Sequence, residues 1–258
     1  MGRHRAATSL GEVTTPTPTT FSDVLARRLR ADPGQPLVTF YDHATGERVE
    51  LSVTTWANWV AKAGSLLVDE LDLERGQSIA IDLPPHWLGT VFLGAAWSAG
   101  LVVVPAGDPR DLDAVVCGPE TLDRWAPHAS GPHVLACSLL PMGVRFREPL
   151  PSGVHDVGVE IWSQPDAFAP YDPPTADDAA LETADGIVLT QAELWREAAA
   201  GTLVGGGRLL SVANPVSETA TFCEPLTQGG SLVLVARADP DQLEAAHAAE
   251  RVTARFPA

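Results

Sequence analysis

Apolar residues recur at two different spacings along the chain. Spacings of three and four predict a helix from Phe21 to Arg30 and a longer one from about Trp56 to Leu71. Between them, LVTFY (37–41) and RVEL (48–51) flank a Thr45-Gly46 pair that is typical of a hairpin turn. The pattern therefore predicts a helix, a pair of strands and a second helix at the start of the fold.

From residue 78 onward, short apolar runs alternate with helical periodicity. The strand SIAIDL (78–83) precedes a helix from about Trp87 to Ala99, which Gly100 ends, and then the strand LVVVP (101–105). This order indicates parallel crossover units, since parallel strands need a long return connection. Further strands are predicted at 113–117, 133–137, 157–162, 186–189, 208–213 and 231–236, and further helices at 120–125, 191–200, 218–228 and after Asp239.

A proline-rich stretch interrupts the alternation. Seven prolines lie between Pro141 and Pro174, which predicts a looped crossing region at residues 141–182. We therefore expect an α/β protein of two similar subdomains, each a mostly parallel sheet flanked by helices, at 21–140 and 183–258. Residues 1–20 are predicted to be a disordered tail, because they contain no apolar run.

The composition and net charge limit the classes of binding partner that are expected. With 45% hydrophobic and 19% charged residues, the chain has a globular composition. The 33 acidic and 17 basic residues give a net charge of -16, which disfavours nucleic acid and anionic membrane surfaces as partners. Three widely spaced cysteines form no C-x-x-C pair, so a reducing cytoplasm is the expected compartment.

Two stretches resemble a known family. Residues 51–105 contain a helix, a "G-x-x-I-A-I-x-L-P" strand, a helix ending in "A-G" and a "V-V-V-P" strand, in that order. The later "GIVLTQAELWREAA" resembles the "G-V-V-L-T-H-x-N-L" of AMP-forming acyl-CoA synthetases, adenylation domains and luciferases. The chain also resembles a short uncharacterised family of high-GC Gram-positive bacteria. The resemblance implies the fold of the N-terminal part of an AMP-forming ligase, in a truncated and degenerate relative.

The segment that corresponds to the family's phosphate loop departs from its pattern. In the family, a Ser/Thr/Gly-rich loop ending in Pro-Lys-Gly wraps the ATP phosphates. Here the stretch is ALETADG (180–186), with Thr183 as its only hydroxyl, Gly186 as its only glycine and no lysine. Glu182 and Asp185 add negative charge there, which opposes phosphate binding.

The resemblance implies further ligand contacts but no catalytic residue. Thr190 ends the matched "G-I-V-L-T", and Glu218 stands where the family often has a histidine. ATP or AMP is implied by the resemblance only. The sequence ends at Ala258, before the family's adenine-binding and ribose-binding motifs, magnesium-binding glutamate and C-terminal lysine domain. Adenylate formation by this polypeptide alone is therefore not expected.

Other polar and aromatic residues have two interpretations each. His86 begins a helix after a strand end, where ligand crevices of parallel sheets lie, although a histidine that only starts the helix is favoured. Asp82, Asp108 and Arg110 can line the same crevice or solvate a loop, and the loop is favoured. His128 and His133 indicate a surface loop rather than a metal site, because prolines adjoin both.

Three functional hypotheses follow. The first is a module that has lost adenylation and binds a small molecule or a protein. The second is an enzyme that still binds a nucleotide or acyl group, with altered chemistry or with residues supplied by a partner subunit. The third is a scaffold that dimerises through an exposed patch at Trp56 or Trp59, although packing in the core is the default for both.

Overall fold

A computed structural model describes residues 18–256, so most of the predicted N-terminal tail lies outside the described residues. The helices are α1 (Phe21–Ala31), α2 (Val53–Ser65), α3 (Trp87–Ala99), α4 (Leu122–Trp125), α5 (Val157–Glu160), α6 (Gln191–Ala199), α7 (Ala220–Gln228) and α8 (Pro240–Ala249). The strands are β1 (Pro36–Asp42), β2 (Glu47–Ser52), β3 (Ser78–Asp82), β4 (Val102–Val104), β5 (Ala114–Cys117), β6 (His133–Ala136), β7 (Val154–Asp156), β8 (Ala179–Glu182), β9 (Val188–Thr190), β10 (Arg208–Ser211), β11 (Ser231–Ala236) and β12 (Ala254–Arg255). No helix in this part of the chain is long and apolar enough to cross a membrane.

Two mostly parallel sheets form the molecule, as the predicted fold class requires. One has five strands in the order β12-β10-β11-β1-β2, and the other has seven in the order β7-β6-β5-β3-β4-β8-β9. The antiparallel pairs are β1 with β2 and β8 with β9. The seven-stranded sheet is formed by the consecutive strands β3 to β9, whereas the five-stranded sheet joins β1 and β2 to the distant β10, β11 and β12. The stretch 141–182 contains β7 and β8 of the seven-stranded sheet, and the stretch 21–140 contributes strands to both sheets.

Alternating side chains on the strands build the layers. In β3, Ile79 and Ile81 face the large core shared by both sheets, whereas Ala80 faces a smaller core beneath α4. In β11, Leu232 faces the shared core, whereas Val233 packs near α8. Since α1, α2, α3, α6 and α7 all contribute to the shared core, they lie between the two sheets.

Helix α3 is the central element, and it has the bounds that the sequence predicts. Every residue of α3 is buried, as expected for a helix that is apolar on all sides. It ends at Gly100, whose φ of 76° is left-handed, and a Cβ there would lie 3.0 Å from Arg75 Cγ. Glycine is therefore required at this position for both conformation and space.

A fully buried glutamine joins three of the helices in this middle layer. Gln191 Oε1 accepts hydrogen bonds from the Phe21 amide and the Trp195 indole, both at 3.0 Å. Its Nε2 donates to the Trp97 carbonyl at 3.1 Å. Because these groups satisfy one another, the polar side chain can lie inside the apolar layer at low cost.

One strand prediction from the sequence was wrong, and one strand was missed. The strand predicted at 157–162 is instead α5 and a following 3-10 turn, and the strand is β7 just before it. The Asp156 side chain accepts a 3.0 Å hydrogen bond from the Gly158 amide and so starts the helix. Strand β8 was not predicted, and β9 is antiparallel to it because the connection of residues 183–187 is too short for a crossover.

Candidate functional site

A cavity of about 300 Å³ lies at the carboxyl ends of β3, β4 and β8. The segment 214–219, between β10 and α7, closes it from the five-stranded sheet. Crevices at the carboxyl ends of parallel strands are the usual ligand sites of open α/β sheets. The apolar wall includes Ile81, Leu83, Val103, Val104, Leu181 and Val216, and the polar lining is Asp82, Glu182, Thr183, Asn214, Ser217 and Thr219.

Asp82 forms a fixed acidic point on the cavity wall. Its Oδ2 accepts a 2.7 Å hydrogen bond from the Trp125 indole and lies 3.4 Å from Arg124 Nη1. The prediction that Asp82 solvates a loop is therefore wrong, because Asp82 lines the cavity. Asp108 and Arg110 instead pair with each other on a turn, where the Arg110 side chain is 87% exposed.

Asn214 connects the two sheets at the cavity. Its Nδ2 donates a 2.7 Å hydrogen bond to the Leu83 carbonyl, and its Oδ1 accepts one from the Val216 amide at 3.0 Å. Sequence reasoning did not select Asn214. The available signal was the Asn-Pro dipeptide directly after a predicted strand, which indicates a turn at the carboxyl end of that strand.

The turn between β8 and β9 stands at the position in the sequence where the AMP-forming ligases have their phosphate loop. The Thr183 hydroxyl lies 2.5 Å from Asp185 Oδ1 and accepts a hydrogen bond from the Ile187 amide at 3.1 Å. Gly186 has a φ of 81°, which allows the tight turn, and both Asp185 and Gly186 are exposed. The hydroxyl group is thus used within the turn, and of the two acidic residues in this segment Glu182 lines the cavity.

Two other candidate residues lie outside the cavity lining. Thr190 is the N-cap of α6: its hydroxyl accepts from the Glu193 amide at 3.2 Å, and the Glu193 carboxylate accepts from the Thr190 amide at 3.0 Å. Hydrogen bonds from the Thr190 amide and hydroxyl to the carboxylate lower the pKa of Glu193. Glu218 is exposed in the turn before α7. Of the six residues selected from the sequence, the cavity lining contains Thr183.

His86, the sixth, is buried beside the five-stranded sheet. It is 4% exposed, its ring lies 4.7 Å from that of Phe40, and its Nδ1 accepts from the Leu88 amide at 3.2 Å to cap α3. Burial lowers the pKa of His86 to about 3, so the ring is neutral at neutral pH. In the structure it acts as a helix cap and does not line the cavity.

Trp56 lies in the core, whereas Trp59 belongs to an aromatic group that reaches the surface. Trp56 is fully buried and donates a 3.0 Å hydrogen bond to Thr90 Oγ1, so the expected core packing is confirmed for this residue. Trp59 is half-buried and packs against Trp87 and Trp162 at ring distances of 5.1 and 5.3 Å. Trp162 is 51% exposed and brings the aromatic group to the surface.

Cysteine and metal chemistry receive no support from the described residues. Burial raises the pKa of Cys117 to about 12, and Cys137 and Cys223 are also buried. Between residues 18 and 256, no group of three or more His, Cys, Asp or Glu side chains could hold a metal ion.

Comparison with known proteins decides the family. No protein-family model matches the chain. A protein of Mycobacterium tuberculosis, described as a TIGR03089 family protein, is 36% identical over 257 residues, which cover 92% of this chain and 98% of that protein. The chain belongs to the TIGR03089 family.

Solved structures show the fold of this TIGR03089 member. Brucella canis acyl-CoA synthetase matches with a TM-score of 0.74 at 16% identity, over 90% of this chain and 46% of that one. The anthranilate CoA ligase AuaEII, in complex with anthranoyl-AMP, matches with a TM-score of 0.74 at 14% identity, over 94% and 50%. The N-terminal domain of FACL13 from Mycobacterium tuberculosis matches with 0.69 at 16%, over 92% and 62%.

These matches confirm the predicted resemblance at the level of the fold. The TIGR03089 chain spans about half the length of the first two ligases, and corresponds to the N-terminal part of such enzymes. At these identities the likeness extends to the arrangement of sheets and helices. The chemistry of the cavity is therefore argued from its own residues.

Proposed function

We propose that this TIGR03089 family member binds a small uncharged or cationic molecule in the cavity between its two sheets and forms no adenylate. The observation that carries the proposal is Glu182, which lines the cavity in the segment where AMP-forming ligases have their phosphate loop. A carboxylate there repels the phosphates of ATP, because the two negative charges share a confined, partly buried space.

The rest of the lining has the same electrostatic character. Asp82 adds a second carboxylate, which pairs with Arg124 behind the wall, and none of the residues that line the cavity is Lys or Arg. The Thr183 hydroxyl is already within hydrogen-bond distance of Asp185 and Ile187. The cavity thus offers acceptors to a ligand's N–H or O–H groups, whereas phosphate needs donors.

Size and apolar area limit the ligand class. A cavity of about 300 Å³ is at the small end of ligand sites, and Val103, Val104, Leu181 and Val216 contribute branched apolar side chains to its wall. A compact molecule with an apolar body and an amine or hydroxyl group fits this lining.

A thermal-shift screen of the full chain tests the proposal. We expect small amines and hydroxylated apolar molecules to raise the melting temperature, and ATP, AMP, coenzyme A and acyl-adenylate analogues to leave it unchanged. For an amine ligand, Glu182→Gln should weaken binding about tenfold, because a charge-assisted hydrogen bond is lost. Glu148→Gln, which changes an exposed carboxylate outside the cavity, should leave binding unchanged.

The alternative is a nucleotide-binding or acyl-binding enzyme that works with a partner subunit, which the half-length match to the ligases favours. Isotope exchange between pyrophosphate and ATP separates the two hypotheses. Exchange by the purified chain contradicts the proposal outright. Exchange that appears only after cell extract is added supports the alternative, and no exchange in either case supports the binding protein.

A further inference from the structure

Arg28 is a buried cation with little compensation in the described part of the chain. It lies on α1 and is 4% exposed. Its Nη2 donates one 2.9 Å hydrogen bond, to the Gly230 carbonyl, while its Nε is buried without a hydrogen-bond partner. No ion pair among residues 18–256 includes Arg28; burial lowers its pKa, and the charge of Asp32 partly offsets that effect. Burying an unpaired charge is costly, so a counterion is expected.

A second cavity adjoins this guanidinium. It measures about 250 Å³ and lies between α1 and the end of α7, where Arg28, Thr227 and Gly229 line it. Arg28 Nη1 would lie 3.4 Å from a Cβ added at Gly229, so the glycine leaves room beside the guanidinium. The Thr227 hydroxyl is also buried without a hydrogen-bond partner. Arg28 and Thr227 therefore both line this cavity, and each has one buried polar atom without a hydrogen-bond partner.

We propose that this second cavity is a binding site for a small monocarboxylate. The guanidinium of Arg28 and the hydroxyl of Thr227 bind the carboxylate group. Val24, Ala31 and Leu226 line the same cavity and contact the apolar part of the ligand. This site shares no lining residue with the cavity between the sheets, so it is independent of the proposed function.

Charge selects a monoanion over a dianion. The cavity lies at the carbonyl end of α7, where the helix dipole is negative and opposes anions. One buried guanidinium compensates one negative charge, while the other lining cation, Arg27, is exposed to solvent. A carboxylate with a short apolar chain therefore fits better than sulfate or phosphate.

Ligand-detected NMR with butyrate as the probe, on the full chain, tests the site. We expect saturation transfer to the butyrate methyl group and a measurable dissociation constant, with weaker binding of sulfate at equal ionic strength. Arg28→Gln should weaken butyrate binding at least about tenfold, and Thr227→Val about threefold, because each removes a hydrogen bond to the carboxylate. Arg30→Gln is the matched control: this exposed arginine of the same helix does not line the cavity, and binding should not change.

Several results would overturn the proposal. Wild-type protein that does not bind butyrate, or Arg28→Gln protein that binds it as well as wild type, would leave Arg28 with its hydrogen bond to the Gly230 carbonyl as its only role. If Arg28→Gln fails to fold, Thr227→Val decides, since valine keeps the shape of threonine; unchanged affinity would place the anion elsewhere. Sulfate binding tighter than butyrate would reject the carboxylate class. Glu182→Gln should leave butyrate binding unchanged, which distinguishes a failure here from a failure at the other cavity.

Discussion

At the scale of single residues, burial and hydrogen bonding set the charge states of two neighbouring groups in opposite ways. His86 is desolvated and held neutral. Asp42 is also buried, which opposes its charge, but hydrogen bonds from Arg237 and Thr45 lower its pKa to about 2. The carboxylate therefore keeps its charge, because Arg237 and Thr45 donate to its charged form. The imidazole stays neutral, because its one hydrogen bond is from the Leu88 amide to Nδ1, which only a neutral ring can accept.

His86 should make the protein less stable in mild acid. Its folded pKa is below the unfolded value of about 6.5, so between pH 6.5 and 3 the unfolded chain binds a proton that the folded chain does not. Folding stability then falls as the pH falls, by about 2 kcal/mol between pH 7.5 and 5. Denaturant unfolding of wild type and His86→Asn at several pH values measures the difference, since asparagine retains a capping oxygen.

The difference between the two proteins in how the free energy of unfolding depends on pH gives the contribution of His86. His133, whose pKa burial also lowers, is present in both proteins and cancels from the difference. Equal pH dependence in wild type and His86→Asn would contradict the assignment of a neutral, desolvated His86.

At the scale of elements, α6 follows β9 directly and depends on its cap. Thr190 is both the last residue of β9 and the N-cap of α6, and Glu193 completes a capping box with it. The cap fixes the point at which the edge strand turns into the middle layer. Helix α6 then places Gln191 and Trp195 in the shared core.

Thr190→Ala should destabilise the protein by about 1 kcal/mol, because the amide of Glu193 loses its acceptor. Urea unfolding measures the change. Thr190→Ser keeps the hydroxyl and should recover most of the loss. Equal destabilisation by alanine and serine would mean that the methyl group, and not the cap, carries the effect.

At the scale of the whole molecule, a charged network ties the C-terminal helix to the five-stranded sheet. Glu250, at the end of α8, accepts hydrogen bonds from Tyr41 of β1, Arg48 of β2 and Arg208 of β10. Burial opposes the charge of Glu250, but these three donors lower its pKa. One carboxylate thus joins α8 to two strands whose residues lie 209 and 202 positions earlier in the chain, and to β10.

Glu250→Ala should lower the free energy of unfolding by about 2 kcal/mol, since it leaves the partly buried Arg208 without its main partner. Glu244→Ala is the control, because the Glu244–Arg255 pair has side chains 63% and 40% exposed and should contribute about 0.5 kcal/mol or less. The two variants are compared by chemical denaturation at low and high salt. Equal costs would show that the network has no more effect than a surface pair.

The sequence by itself determined much of the local structure and the resemblance in fold to AMP-forming ligases. Helix α3 has its predicted bounds because a fully apolar run ends at a left-handed glycine, and both signals lie within a few residues of each other. The order of strands and helices predicted the α/β class. The resemblance of residues 51–105 and 186–199 to AMP-forming ligases predicted the ligase-like fold. At the site, the sequence selected Thr183 as a candidate ligand-binding residue, and Thr183 lies in the cavity lining.

Only the tertiary structure decided which distant segments meet. The pairing of β1 with β11, the approach of Asn214 to Leu83 and the burial of Arg28 against Gly230 all join residues far apart in the chain. Hydrophobic periodicity reports which face of an element is buried, but not which element covers that face. The cavity between the sheets exists because those long-range contacts are made together, and its lining could therefore be described only once the fold was known.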